Sequence, residues 1–308
     1  MLSFKQYLTE AIQVDKLKHL EHAEDHIIHG GDEGVQHAAE NLEDLHNRMT
    51  TGHAQHKITT KYDGSPSVVF GIHPETNKFF VASKSAFNKN PKINYTDKDI
   101  DANHGHAPGL AAKLKSALAH LPKVMPKEGG VYQGDFLYDK PDLNDEGEKY
   151  KFTPNTITYG AKKDSNQGRK IAASKMGFVV HTKYSGKNMG DMKAGFDVDH
   201  SKFVQDPDVN LVNPEVPEGP HSRYTSILQS QFLSHMKKAN DAYGSMEMDT
   251  PSSLVTHDHL IKPYINSTVR DGTTPNTKDY RKYLEQQRDK ATASVKTDAA
   301  KAKKAEQF

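Results

Sequence analysis

Lys61-Tyr62-Asp63-Gly64-Ser65-Pro66-Ser67-Val68-Val69-Phe70-Gly71-Ile72 is the stretch that decides the fold of this chain. Val68 to Ile72 is rich in β-branched and aromatic residues, His56 to Thr60 upstream is rich in β-formers, and Asp-Gly with Ser-Pro supplies turn chemistry between them. The pattern predicts two strands, with Lys61 at the end of the first, beside a tight turn. A polar turn from His73 to Lys78 then leads to Phe79-Phe80-Val81-Ala82-Ser83-Lys84, a third strand that completes a β-meander. Further on, Gly130 to Tyr138 reads as a buried strand carrying one acid, Asp135, which needs a partner inside an apolar run. Thr156 to Gly160 and Gly177 to Thr182 read as two more strands.

Helical spacing dominates on both sides of this β-rich part. Residues 15–29 and 33–49 form two helical patterns separated by Gly30-Gly31, with Asp32 as an N-cap. Pro108 near its start and Pro122 after its end bound a helix over residues 108–121. Tyr224 to Tyr243 carries Ile227, Leu228, Phe232, Leu233 and Met236 at helical spacing, and Leu260 to Val269 gives a shorter segment. Residues 277–306 are polar apart from Tyr280, Tyr283 and Leu284, which predicts a part-exposed helix fraying toward Lys301-Ala302-Lys303-Lys304. The expected organisation is a helical segment over 1–50, a β-rich domain over 51–215 and a helical domain over 216–308. Strands and helices interleave without strict alternation, so the expected class is α+β with antiparallel sheets rather than a doubly wound parallel fold.

Composition narrows the functional classes. The 308 residues carry a net charge of +1, so nucleic-acid binding would need a local basic surface rather than a global field. Lys84, Lys89, Lys92, Lys162, Lys163, Arg169, Lys170 and Lys175 gather around the predicted strands and are the candidates for one. With no cysteine, disulfides, thiolate metal sites and cysteine nucleophiles are excluded. No apolar run is long enough to cross a bilayer, and the N-terminal residues lack the core of a secretory signal, so a soluble monomer in a cytoplasm is expected. His22, His26 and His29 fall at i, i+4 and i+7, a spacing that would hold a metal if the side chains were fixed, although scattered histidines are the commoner explanation.

The Lys-x-Asp-Gly tetrad at Lys61 to Gly64 resembles motif I of the covalent nucleotidyltransferase superfamily, which comprises the ATP- or NAD-dependent nucleic-acid ligases and the mRNA-capping guanylyltransferases. Ser83-Lys84 lies where the superfamily often has a Ser-Arg pair on the ribose. Gly134-Asp135-Phe136 resembles motif III with Asp in place of Glu, and Met176-Gly177-Phe178-Val179-Val180 has the shape of motif IV with Met176 where the Glu would stand. The resemblance spans residues 55–185. It implies an antiparallel-sheet, ATP-grasp-like ligase core, with ATP and Mg²⁺ as cofactors, although GTP is an open alternative as donor. The implied reaction forms a lysyl-AMP on Lys61, followed by joining of a 5′-phosphate to a 3′-hydroxyl of RNA or DNA; a protein or small-molecule acceptor is the alternative.

The same resemblance assigns roles. Lys61 is the nucleophile; an ordinary lysine amine is almost wholly protonated at pH 7, so attack requires desolvation or neighbouring cations such as Lys84 or Lys183. Thr60, Tyr62, Asp63, Gly64, Ser83, Lys84, Phe152, Val179 and Lys183 are the expected nucleotide contacts, and Asp135 the expected ligand of the metal or the ribose. Phe152 or Tyr159 would stack on the base, with core packing an equal alternative. Motif V has three candidates: Lys183, Lys202 and Lys262. At the N-terminus, a short amphipathic helix over residues 2–10 ending in Leu8-Thr9-Glu10-Ala11 resembles the capsid-targeting peptides of tailed-phage internal head proteins. This adds a second expectation, a non-catalytic internal head protein on a ligase-like fold, packaged in the virion and losing residues 1–10.

Overall fold

The computed structural model describes residues 23–216, 219, 221, 223–245 and 250–306. The expected capsid-targeting segment and His22 lie outside the described residues. The chain divides into two compact units: a β-rich unit of residues 57–217, and a helical unit that joins residues 21–56 to residues 218–308. The flanking helical regions, separate in the sequence, therefore belong to one body.

The β-rich unit is built on a six-stranded sheet. Strands β1 (Ser67–Ile72), β2 (Phe79–Ala82) and β3 (Val131–Asp139) form an antiparallel set in the order β2-β1-β3. A three-stranded sheet follows in the chain, made of β4 (Asn144–Glu146), β5 (Lys149–Phe152) and β6 (Tyr159–Lys162). The main sheet continues with β7 (Met176–Ser185) beside β3 and β8 (Lys193–Gly195) beside β7, while β9 (Val209–Val212) pairs parallel to the start of β7. The class is thus mixed α+β with mainly antiparallel pairing.

Alternation along these strands sorts side chains onto two faces. The register Val68↔Gly134 and Phe70↔Tyr132 places Val68, Phe70, Tyr132 and Phe136 on one face. Helices α2 (Asp97–His104) and α3 (Pro108–His120) cover it through Ile100, Ala111, Leu114 and Ala117. A capping box, with Thr96 and Asp99 reciprocally satisfying backbone donors, starts α2, and Pro108 occupies the first turn of α3. The opposite face carries Val69, Phe80, Ala82 and Val131 at one end and Leu137 and Val179 at the other.

Three predicted strands differ from the structure. Residues 56–60 are extended but form only the isolated bridge Thr59↔Glu215, because their partner is the short segment around Pro214 rather than a full strand. The third strand stops at Ala82: the Ser83 hydroxyl accepts from Ser85 N and caps a 3₁₀ turn over Lys84–Phe87. The strand expected at 156–160 begins at Tyr159, since Thr156 and Thr158 are used in the preceding loop.

In the helical unit, α1 (Ala23–Thr51) bends at Gly31, whose φ of 56° and ψ of −135° interrupt the helix where the Gly30-Gly31 pair predicted a break. Helices α4 (Asn166–Ala173, in the β-rich unit), α5 (Ser226–Gly244), α6 (Thr250–Arg270), α7 (Thr277–Ala293) and α8 (Asp298–Ala305) complete the described helices. The polar tail is two capped helices, not one fraying one: Asn276 caps α7 and Thr297 caps α8. Among the described residues no helix is long and apolar enough to cross a membrane.

Candidate functional site

The tetrad is held against the acid-bearing strand by backbone bonds. Ser65 N donates to Phe136 O (2.9 Å) and Phe136 N donates to Pro66 O (3.0 Å). Gly64 fits because it lacks a side chain: a Cβ there would lie 2.5 Å from Asp135 Cβ and 2.9 Å from Phe136 O. The tetrad and the acid of β3, 71 residues apart in sequence, therefore touch. On the other side, Thr60 N donates to Pro214 O (2.7 Å), which fixes the approach to Lys61, itself exposed.

Asp63 is braced from the β5–β6 loop. Asn155 Nδ2 donates to its Oδ1 (3.0 Å) and Thr156 Oγ1 to its Oδ2 (2.8 Å), while Asp63 N donates to the Tyr159 hydroxyl (3.1 Å). The Thr156 and Asn155 bonds, with a smaller contribution from the charge of Lys61, hold the Asp63 carboxyl below the usual range. Asp63 is thus a structural brace whose oxygens are already occupied.

Between its two apolar ends, the sheet face that bears Asp135 carries a polar strip. The Tyr184 hydroxyl donates to Gln133 Oε1 (2.6 Å), and Gln133 Nε2 donates to Ser67 Oγ (2.9 Å). Burial pushes the Tyr184 phenol up to about 12, which keeps it a neutral donor. Beside this chain, His181 Nε2 lies 3.4 Å from Asp135 Oδ1, and His181 Nδ1 lies 2.8 Å from Thr182 Oγ1. His181 reaches Asp135 because it is the extra residue of a bulge: Gln133 pairs with Thr182 and Gly134 with Val180, leaving His181 between them. The histidine was not singled out in the sequence; its only signal there was an imidazole within a β-run. Lys84 sits in the 3₁₀ turn whose Ala86 packs on this same face with Val69 and Phe80.

Other expected contacts lie elsewhere. Lys183 pairs in register with Tyr132, on the helix-covered face, so it is on the opposite side of the sheet from Asp135. Lys202 pairs with Glu128 (3.2 Å), and Lys262 belongs to the helical unit, where it pairs with Asp258 (3.1 Å). None of the three motif V candidates is thereby brought to Asp135. Phe152 is buried, stacked on Tyr159 with ring centroids 5.5 Å apart and tilted against Tyr138 at 4.7 Å, so its faces serve packing. Val179 is buried as the register partner of Asp135. Met176 is fully buried in the core with Phe136 and Phe178, so the position expected to match the motif IV acid presents only a core side chain. Of the basic cluster, Lys163 pairs with Asp145 and Lys175 with Asp208 (3.1 Å), while Arg169 donates to the neutral Asn166 (2.5 Å).

For a divalent cation the strip offers one carboxylate, Asp135, near the hydroxyls of Ser67 and Thr182. That set fits Mg²⁺ held mainly by a nucleotide's phosphates, as this ion is usually bound through one or two carboxylates. No cluster of three His, Asp or Glu side chains suited to a metal occurs among the described residues. His26 packs edge-on against His37 (4.6 Å), and His29 lies 3.6 Å from Asp258.

A cavity of about 680 Å³ in the β-rich unit is a separate feature; Tyr62 lines it, while Lys61, Asp63 and Asp135 do not. Comparison with known proteins places the chain in a family: residues 17–308 match the model described as a family of unknown function, DUF6267, and the chain belongs to that family. No curated protein and no solved structure matches it.

Proposed function

We propose that the β-rich unit is a nucleotidyltransferase-type core that accepts a nucleotidyl group on Lys61. The observation that carries this reading is the seating of Gly64 on Asp135, which brings the lysine-bearing tetrad to the edge of the polar strip. The neutral Lys61 amine attacks the α-phosphate of ATP or GTP; a P–N bond forms, the P–O bond to the β-phosphate breaks, and pyrophosphate leaves. Asp63, locked by Asn155 and Thr156, holds the tetrad in place, and Asp135 is the residue that would hold Mg²⁺, which supplies charge neutralisation on the phosphates. Transfer of AMP to a nucleic-acid 5′-phosphate, and joining, would follow in an RNA or DNA ligase-like enzyme. The test is incubation with α-labelled ATP or GTP and Mg²⁺, then a denaturing gel. Acid-labile label that disappears in Lys61→Ala is expected; absence of label with either nucleotide on folded protein overturns the reading.

Burial of Met176 where motif IV would have an acid favours a second reading, a ligase-like fold retained by a non-catalytic phage head protein. It gives no label, and protein recovered from particles would begin at Ala11.

A further inference from the structure

The cavity beside Tyr62 has a polar end that the nucleotidyl chemistry does not use. His200 Nε2 lies 2.9 Å from the Val180 carbonyl oxygen, which can only accept, so Nε2 carries the hydrogen, and in the neutral tautomer Nδ1 presents a lone pair. Nδ1 is buried without a hydrogen-bond partner among the described residues, although the His200 side chain is only 8% exposed. Such an orphan acceptor is costly in the absence of a ligand. Glu215 Oε1 lies 3.9 Å from it, too far for a direct bond but right for one donor nitrogen placed about 2.9 Å from both. Lys57, 2.5 Å from Glu215, holds that carboxyl below its usual range, so it is an anion there. Asp199 adds a second carboxylate to the lining, whereas Lys170, its only lysine, is exposed. The rest of the lining is mixed: Gln167, Ser201, Gln205, Asn210 and Asn213 are polar, while the half-buried rings of Tyr62 and Tyr159 form one aromatic surface. The volume lies in the range of small-molecule sites.

We propose that this cavity binds a small organic amine, its nitrogen donating to His200 Nδ1 and Glu215 and its carbon skeleton lying along the half-buried rings of Tyr62 and Tyr159. Aromatic faces suit the ammonium and its carbon skeleton, and the two acceptors set its orientation. An anion is disfavoured, because it would meet the carboxylates of Glu215 and Asp199, with the Lys57 ammonium already engaged by Glu215 and Asp197. The proposal does not rest on Lys61 chemistry.

The experiment titrates the full chain with benzylamine, benzoate and adenosine, reading saturation-transfer NMR and thermal shift. Benzylamine is expected to bind at least about tenfold more tightly than benzoate, with His200→Phe lowering its affinity about tenfold or more, the ratio for one lost hydrogen bond to a charged group. Ile171→Trp, which fills the cavity, and Tyr62→Leu, at a part-exposed wall position, are expected to weaken it as well, so the outcome does not depend on one variant folding. Lys61→Ala should leave it unchanged. Equal binding of benzoate, unaltered benzylamine binding in folded His200→Phe, or displacement of benzylamine by adenosine would overturn the proposal; the last result would assign the cavity to the nucleotide instead.

Discussion

At the scale of single residues, the tetrad is maintained by close fit and by one braced carboxylate. Gly64→Ala would drive a methyl group into Asp135 and the Phe136 carbonyl, and overpacking of that kind costs about 1–3 kcal/mol. A lowered melting temperature together with loss of Lys61 labelling is the expected outcome; an unchanged melt would mean that the contact relaxes freely. Asp63 gives a pH signature. Its folded-state affinity for protons is depressed, so its bonds to Asn155 and Thr156 contribute stability that is fully present above the unfolded carboxyl range, near pH 4, and is lost as pH falls through the lower folded value. Thr156→Val should flatten that acid limb, measured as melting temperature between pH 3 and pH 6.

At the scale of elements, β7 shows why a motif's shape need not carry its chemistry. Its first residue, Met176, points into the core beneath α2 and α3, while the bulge at His181 turns an imidazole toward Asp135. Replacing Met176 by Glu to recreate the superfamily acid would bury an unpaired carboxylate, a cost of several kcal/mol. The expected result is a large fall in the urea midpoint with no gain in joining activity; a stable Met176→Glu protein that ligates would show that the strand can re-register. The β5–β6 loop is the other decisive element, because it supplies both side-chain donors to Asp63, while Tyr159, the first residue of β6, accepts from the tetrad backbone. Sequence periodicity found the strand but started it three residues early, since local hydrogen bonding of Thr156 to a residue 93 positions away carries no periodic signal.

At the scale of the whole molecule, the chain is two units, with residues 57–217 carrying the β-rich one and the helical one closed by segments from both sides of them. Residues 57–217, which contain the main sheet, both its apolar faces and the polar strip, are expected to fold when expressed alone and to unfold in one cooperative transition. Circular dichroism through a urea titration checks this; a molten, non-cooperative product would show that the helical segments are required.

The sequence by itself determined the two-stranded hairpin at Ser67–Ala82, the acid-bearing strand at Val131–Asp139, the helix after Pro108 and the break at Gly31, because each follows from near-neighbour patterning and turn chemistry. Its local pattern also marks Lys61, Gly64 and Asp135. Only the tertiary structure decided which of the named residues meet. Gly64 lies on Asp135 and Asp63 on the β5–β6 loop, whereas Lys183 falls on the opposite face and Met176 and Phe152 in the core. The physical reason is that register, bulges and face assignment are set by pairing between strands distant in the chain. A single bulge residue is enough to bring His181 beside Asp135 and to set Lys183 on the other side of the sheet.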